Sequence, residues 1–106
     1  MVQDELLIEQ LNQKQAGAFK ILFGRFYRYL VLYAMKRVER QEIAEDIVQD
    51  LFVQIWERDT LYSSYYGFKN FLYNSVTNAS LDYLKHKEVE GKYVRYTLCH
   101  SEAGGM

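Results

Sequence analysis

The sequence predicts an all-α domain, and three observations carry that prediction. Apolar residues recur at helical spacing, in steps of one, three and four, along three long segments. Proline is absent from all 106 residues, so no ring removes an amide donor and breaks a long helix. No segment alternates with the two-residue period of a half-buried strand, and no repeat or low-complexity tract interrupts the pattern. A chain of this length is expected to form one domain around a single core of modest size.

The elements follow in order. Asp4 is placed to cap a short first helix, with Leu6, Leu7 and Leu11 as its buried side. The run KQAG, Lys14 to Gly17, breaks it. A long second helix then extends to about Val38, with Phe19, Leu22, Phe23, Phe26, Leu30, Tyr33, Ala34 and Arg37 on one stripe. A polar hinge at Glu39 to Gln41 leads into a third helix, Glu42 to Glu57. Its apolar stripe is Ile43, Ile47, Val48, Leu51, Phe52 and Ile55. The tyrosine- and serine-rich run LYSSYYGF, Leu61 to Phe68, reads as a loop punctuated by Gly67. The last long helix is expected from about Phe68, burying Phe71, Leu72, Ser75, Val76, Ala79 and Tyr83 or Leu84. Its other face carries Lys69, Asn70, Asn74, Thr77, Asn78 and Lys85, and the final HSEAGGM reads as unstructured.

Net charge is only −1, but charge is segregated along the chain. Between Phe19 and Glu39 five basic residues face one acid, a local balance of +4. Between Glu39 and Asp50 five acids face Arg40, a local balance of −4. From Lys69 to Arg95 the balance returns to +2. Such blocks suit two partners of opposite charge. The third helix carries the sharpest contrast. Opposite its apolar stripe lie Glu42, Asp46, Gln49, Asp50, Val53 and Glu57, with Trp56 at the margin, where its ring also suits the core. A merely solvated helix face usually mixes in Lys or Arg for paired charges, and this one has none before Arg58.

Composition narrows the function classes. The single Cys99 excludes an internal disulfide and fits a reducing, cytoplasmic setting. No run approaches the roughly 18 apolar residues of a membrane span, and no signal-peptide pattern opens the chain. There is no glycine-rich phosphate loop, no cysteine pair at metal spacing and no nucleophile motif. Neither His86 nor His100 follows a Glu by three residues, as a carboxylate metal site in a helical bundle requires. The expectation is therefore a non-enzyme without cofactor or metal. Ten Tyr and six Phe instead suit surfaces that stack on a partner.

Three pieces now stand in order: AFKILFGRFYRYLVLYA, AEDIVQDLFVQIW from Ala44 to Trp56, and FKNFLYNSVTNASLDYLKHK from Phe68 to Lys87. Together they resemble the second conserved region of bacterial extracytoplasmic-function (ECF) sigma factors, the smaller members of the sigma-70 family. The resemblance covers about Ala18 to His86. The middle piece is close to the family's A-E-D-x-x-Q-(D/E)-x-F-x-x-x-W pattern, and Asn78 and Asp82 keep its Asn-x-x-x-Asp spacing.

The resemblance implies a compact helical domain over residues 1–87, with three long helices and a short N-terminal one. Residues 88–106 would be the start of an interdomain linker and a disordered tail. The third helix would dock on the clamp-helix coiled coil of the RNA polymerase beta-prime subunit. Asp46, Gln49 and Asp50 would then be polar contacts, and Val53 and Trp56 apolar support. The last helix and its preceding loop would recognise and melt the promoter minus-ten element as non-template single-stranded DNA, with a base flipped into a loop pocket. Tyr62, Tyr65 and Tyr66 would wall such a pocket, and Ser63, Ser64 and Asn78 would meet the base edge. Lys69, Lys85 and Lys87 suit phosphates. Asn74 lies on the same DNA face, where the family often has a basic residue. Asn74 and Thr77 thus make this face less basic than usual, and Phe71 replaces a frequent Trp.

The family also admits an anti-sigma factor as partner. Nothing after Lys87 matches its second, helix-turn-helix domain, so the chain is expected to be a fragment or a natural form without it. The alternative is a helical protein–protein adaptor whose acidic face binds a basic partner without DNA. A duplex-binding helix-turn-helix fits less well, because its turn is only 3–4 residues long.

Overall fold

A computed structural model describes the backbone of residues 2–100 and the side chains of residues 2–87. Four helices follow in order, α1 (Val2–Asn12), α2 (Ala16–Val38), α3 (Gln41–Glu57) and α4 (Tyr65–His100), with no strand among the described residues. The all-α expectation holds.

The breaks are local backbone events. After α1, Lys14 takes a left-handed φ of 62°. The N–H groups of Lys14 and Gln15 bond back to the carbonyls of Leu11 and Gln10, closing the helix end. After α2, Glu39 repeats the device at φ 62°, its N–H donating to Met35 at 3.1 Å. Two residues, Glu39 and Arg40, then reverse the chain into α3. Helix α4 starts at Tyr65, three residues before the expected Phe68. Ser64 caps it: the Ser64 hydroxyl accepts from the Gly67 N–H at 2.9 Å, and the Ser64 carbonyl accepts from Phe68. Gly67 therefore sits in the first helical turn and not in a loop.

Helix α2 is the shared middle element. It runs antiparallel to α3, with Phe19 against Phe52 and Trp56 and with Tyr27 opposite Gln49. It runs parallel to α4, with Phe26 against Phe68 and Tyr33 against Tyr73. One core joins all four helices, from Ile8 and Leu11 through Leu22, Leu30, Val48 and Phe52 to Leu72 and Val76.

Several buried faces differ from expectation. In α1, Ile8 and Leu11 are buried, whereas Leu6 is exposed and Asp4 lies in the first turn and pairs with Arg25. In α2, Ala18, Val31 and Val38 join the core, while Phe19, Phe23, Tyr33 and Arg37 are only half-buried. In α3, Ala44 is enclosed and Ile43 and Ile47 lie at the edge. In α4 the buried row is Phe68, Leu72, Val76 and Ser80. Phe71 is exposed and Ser75, Ala79, Tyr83 and Leu84 are half-buried. Ser80 is fully enclosed and its hydroxyl has no hydrogen-bond partner. Helix α4 continues past the expected boundary at Lys87 to His100. The side chains expected in the linker, and the tail beyond His100, lie outside the described residues.

Candidate functional site

The acidic face of α3 stands clear of the core. Asp46, Gln49 and Asp50 are exposed, as are Val53 and Glu57. Neither aspartate forms an ion pair among the described residues, where the only pairs are Arg25–Asp4 and Arg40–Glu42. Gln49 is tethered, donating to the Tyr27 hydroxyl at 3.1 Å.

Trp56 does not enter the core. It remains 37% exposed, with its ring 5.0 Å from Phe19 and the Lys14 ammonium 5.5 Å above it. The same ammonium donates to the Trp56 carbonyl and, at 2.5 Å, to the Arg58 carbonyl. A cation thus satisfies the orphan carbonyls and negative dipole end of α3. Between this face and α2 lies an apolar groove of about 380 Å³, lined by Phe19, Phe23, Phe52, Val53 and Trp56. The five residues expected to form one docking surface are therefore brought to one side of α3.

The expected DNA residues are not brought together. At 100° per residue, Phe71, Asn74, Asn78 and Lys85 fall on one flank of α4, and the last three are exposed. Tyr62 joins this flank, its ring 4.9 Å from Phe68 and 5.4 Å from Phe71. Tyr65, Tyr66, Lys69 and, five turns further on, Lys87 fall on the other flank, towards α2. Tyr62 and Asn78 also stand apart along the helix axis. Tyr62 packs on both Phe68 and Phe71, and Asn78 lies ten and seven residues further along the helix, a rise of about 15 and 10 Å.

The loop bearing Tyr62 and Ser63 is held by α1, which sequence reasoning did not connect to the site. Asn12 donates from Nδ2 to the Tyr62 carbonyl at 2.8 Å and accepts the Tyr62 N–H at 2.9 Å. Glu5 accepts the Tyr65 N–H at 3.1 Å, placing a carboxylate at the positive end of α4. Arg25 bridges Asp4 at 2.9 Å and the Tyr65 hydroxyl at 3.2 Å, and these bonds, Tyr65 first, hold its guanidinium pKa above the ordinary value. Burial raises the Tyr62 hydroxyl pKa, so this ring stays a neutral phenol. Beside it, Glu5, Glu9, Asn12, Tyr62 and Ser63 line a polar cleft of about 210 Å³.

Among the described residues no group of three or more potential metal ligands converges. No described helix is long and apolar enough to cross a membrane.

The sequence model of the sigma-70 region 2 family matches residues 22–89. That span takes in α2 from Leu22, all of α3 and the α4 flanks described above, and it leaves α1 outside. Neither the curated proteins nor the solved structures contain a match. The family is non-enzymatic and acts in transcription initiation by binding core RNA polymerase and promoter DNA. With nearly two thirds of its length matched, the chain belongs to the sigma-70 region 2 family.

Proposed function

We propose that the domain acts as an ECF-type sigma region 2, docking on the beta-prime clamp helices through α3 and holding the minus-ten element as non-template single strand along α4. The observation that carries the docking half is the pair Asp46 and Asp50, exposed and free of ion pairs among the described residues. Unneutralised charge on a helix face is complementary to a basic coiled coil, and it steers association as well as fixing register. Val53 and Trp56 border the acids and supply apolar area to the same contact.

The DNA half rests on the flank of α4 that carries Asn74, Asn78 and Lys85 next to Tyr62. Tyr62 and Ser63 meet one unstacked base at the loop, and Asn78 reads another along the helix. Lys85 meets phosphate there, as Lys69 and Lys87 do from the far flank with Tyr65 and Tyr66. The polymerase performs the chemistry, and the domain works where the polymerase is, in the cytoplasm.

Asp50→Lys tests the docking half. Reversing this charge sets like charges against each other, so polymerase capture should fall sharply while the circular dichroism spectrum stays unchanged. Full capture by a folded Asp50→Lys protein removes α3 from the interface.

A further inference from the structure

The turn between α1 and α2 places a cation at the edge of the acidic face of α3. Lys14 takes the left-handed backbone, φ 62°, a conformation that glycine adopts without strain and lysine does not. Its N–H closes α1 on the Leu11 carbonyl at 2.8 Å, which a glycine amide would do equally well. The side chain is what is particular. It crosses to the far end of α3, 42 residues away in sequence, where its ammonium donates to the Trp56 carbonyl and, at 2.5 Å, to the Arg58 carbonyl. The same ammonium stands 5.5 Å from the centre of the Trp56 ring, and Phe19 packs on that ring at 5.0 Å. Trp56 is the chain's single tryptophan, and it lines the apolar groove with Phe19, Phe52 and Val53.

We infer that Lys14 is a positioning residue for docking: it holds the Trp56 ring half-exposed and fixes the C-terminal end of α3, so that the apolar part of the contact is formed before the partner arrives. The inference rests on the reading of α3 as the polymerase-docking helix. Lys14 lies outside the matched residues 22–89, so the family pattern gives it no role. Attraction to the partner does not explain its place. A cation beside a contact that meets a basic coiled coil adds repulsion. Here the ammonium is instead taken up by two carbonyls at the negative end of α3 and by the indole face. A strained backbone retained under a side chain with this reach points to the reach as its use. A large side chain ordered in advance need not be ordered on binding, and the affinity gains by that difference.

Lys14→Gly and Lys14→Met are the test, each titrated as the whole chain against core polymerase. Glycine suits the left-handed turn and methionine keeps the stem without the charge, so both should remain folded by circular dichroism. If charge alone mattered, removing a cation would strengthen capture by a basic partner. Both variants should instead weaken it about five-fold, within the range for ordering one side chain at an interface. Lys14→Arg, which keeps a cation and its donors, should restore capture to within about two-fold. In a Trp56→Ala background Lys14→Gly should change nothing further, the mark of two residues acting as one. Without any partner, acrylamide quenching of Trp56 fluorescence should rise in Lys14→Gly and Lys14→Met but not in Lys14→Arg. The inference is overturned if Lys14→Gly and Lys14→Met capture polymerase as well as the unaltered chain or better, if Lys14→Gly acts equally with and without Trp56, or if quenching is the same in all three. Asp50→Lys separates the two readings. If it too leaves capture unchanged, the docking reading has failed; if it abolishes capture while Lys14→Gly is silent, only the role of Lys14 falls.

Discussion

Replacing Asn12 tests how α1 governs the loop that carries Tyr62. Its side-chain amide makes two hydrogen bonds to one peptide neighbour, 2.8 Å to the Tyr62 carbonyl and 2.9 Å to its N–H, fifty residues away in sequence. Asn12→Leu keeps the approximate shape and removes both. Each neutral bond is worth about 1 kcal/mol net, and a polar group left without a partner costs more. Both bonds are partly buried, so water relieves some of that second cost. A loss of about 2–3 kcal/mol follows. Asn12→Asp should lose about half as much, because its carboxylate still accepts the Tyr62 N–H but no longer donates to the carbonyl.

Urea denaturation monitored by Trp56 fluorescence measures the difference at unchanged slope. Amide exchange at Tyr62 should accelerate in both variants, reporting local opening of the loop before global unfolding. A change below about 0.5 kcal/mol in Asn12→Leu, the range of an ordinary surface substitution, with Tyr62 exchange unaltered, refutes the claim that α1 fixes this loop.

Three further outcomes follow. Phe52→Ala should cost about 3–5 kcal/mol, because its ring is 2% exposed and lies 4.9 Å from Phe23; a thermal melt that barely moves would mean that the faces of α3 are reversed. Asn78→Ala, assayed with core polymerase and single-base variants of one promoter strand, should flatten preference at one position and spare most of the total affinity; unaltered preference removes Asn78 from base reading. Glu39→Gly should add about 0.5–1 kcal/mol in a urea titration, since glycine relieves the left-handed strain at φ 62° but gains entropy in the unfolded chain. Equal or lower stability would show that Glu39 makes a compensating contact.

The sequence carried the class and the helices far better than it carried their azimuths. The breaks at Lys14 and at Glu39 to Gln41 were legible because polar runs interrupt apolar stripes there. The start of α4 was not, because Tyr65 and Tyr66 suit a loop as well as a first turn, and the Ser64 cap is defined only by its bond to Gly67. The buried row of α4 is turned from the expected one. Phe71, Ser75 and Ala79 continue an apolar stripe, but α2 and α3 approach the helix from the side of Phe68, Leu72 and Val76. Which side a neighbour takes is a tertiary fact.

The site divides in the same way. Asp46, Gln49, Asp50, Val53 and Trp56 were legible together because they share one helix face. The separation of Tyr62 from Asn78 was not legible, since the packing of Tyr62 on Phe68 and Phe71 fixes where the loop meets the helix. Tyr33 and Arg37 fall on one stripe with Leu30 and Phe26 because they lie at helical spacing from them. A tyrosine at such a position serves a core or its edge equally well, and only the packing of Tyr33 on Tyr73, with Lys36 and Arg37 over its ring, sets it at the edge.

Because α2 packs against both α3 and α4, the chain behaves as a gauge. Phe23 locks onto Phe52 on one side and Tyr33 onto Tyr73 on the other, and the link between α2 and α3 is two residues long. Close-packed interiors transmit displacement and do not absorb it. Whatever grips α3 therefore carries the surfaces of α4 at an offset set by the side chains packed among α2, α3 and α4. Enlarging Ala34, enclosed within α2, would change where a strand sits relative to the gripping body before it changed how tightly either is held.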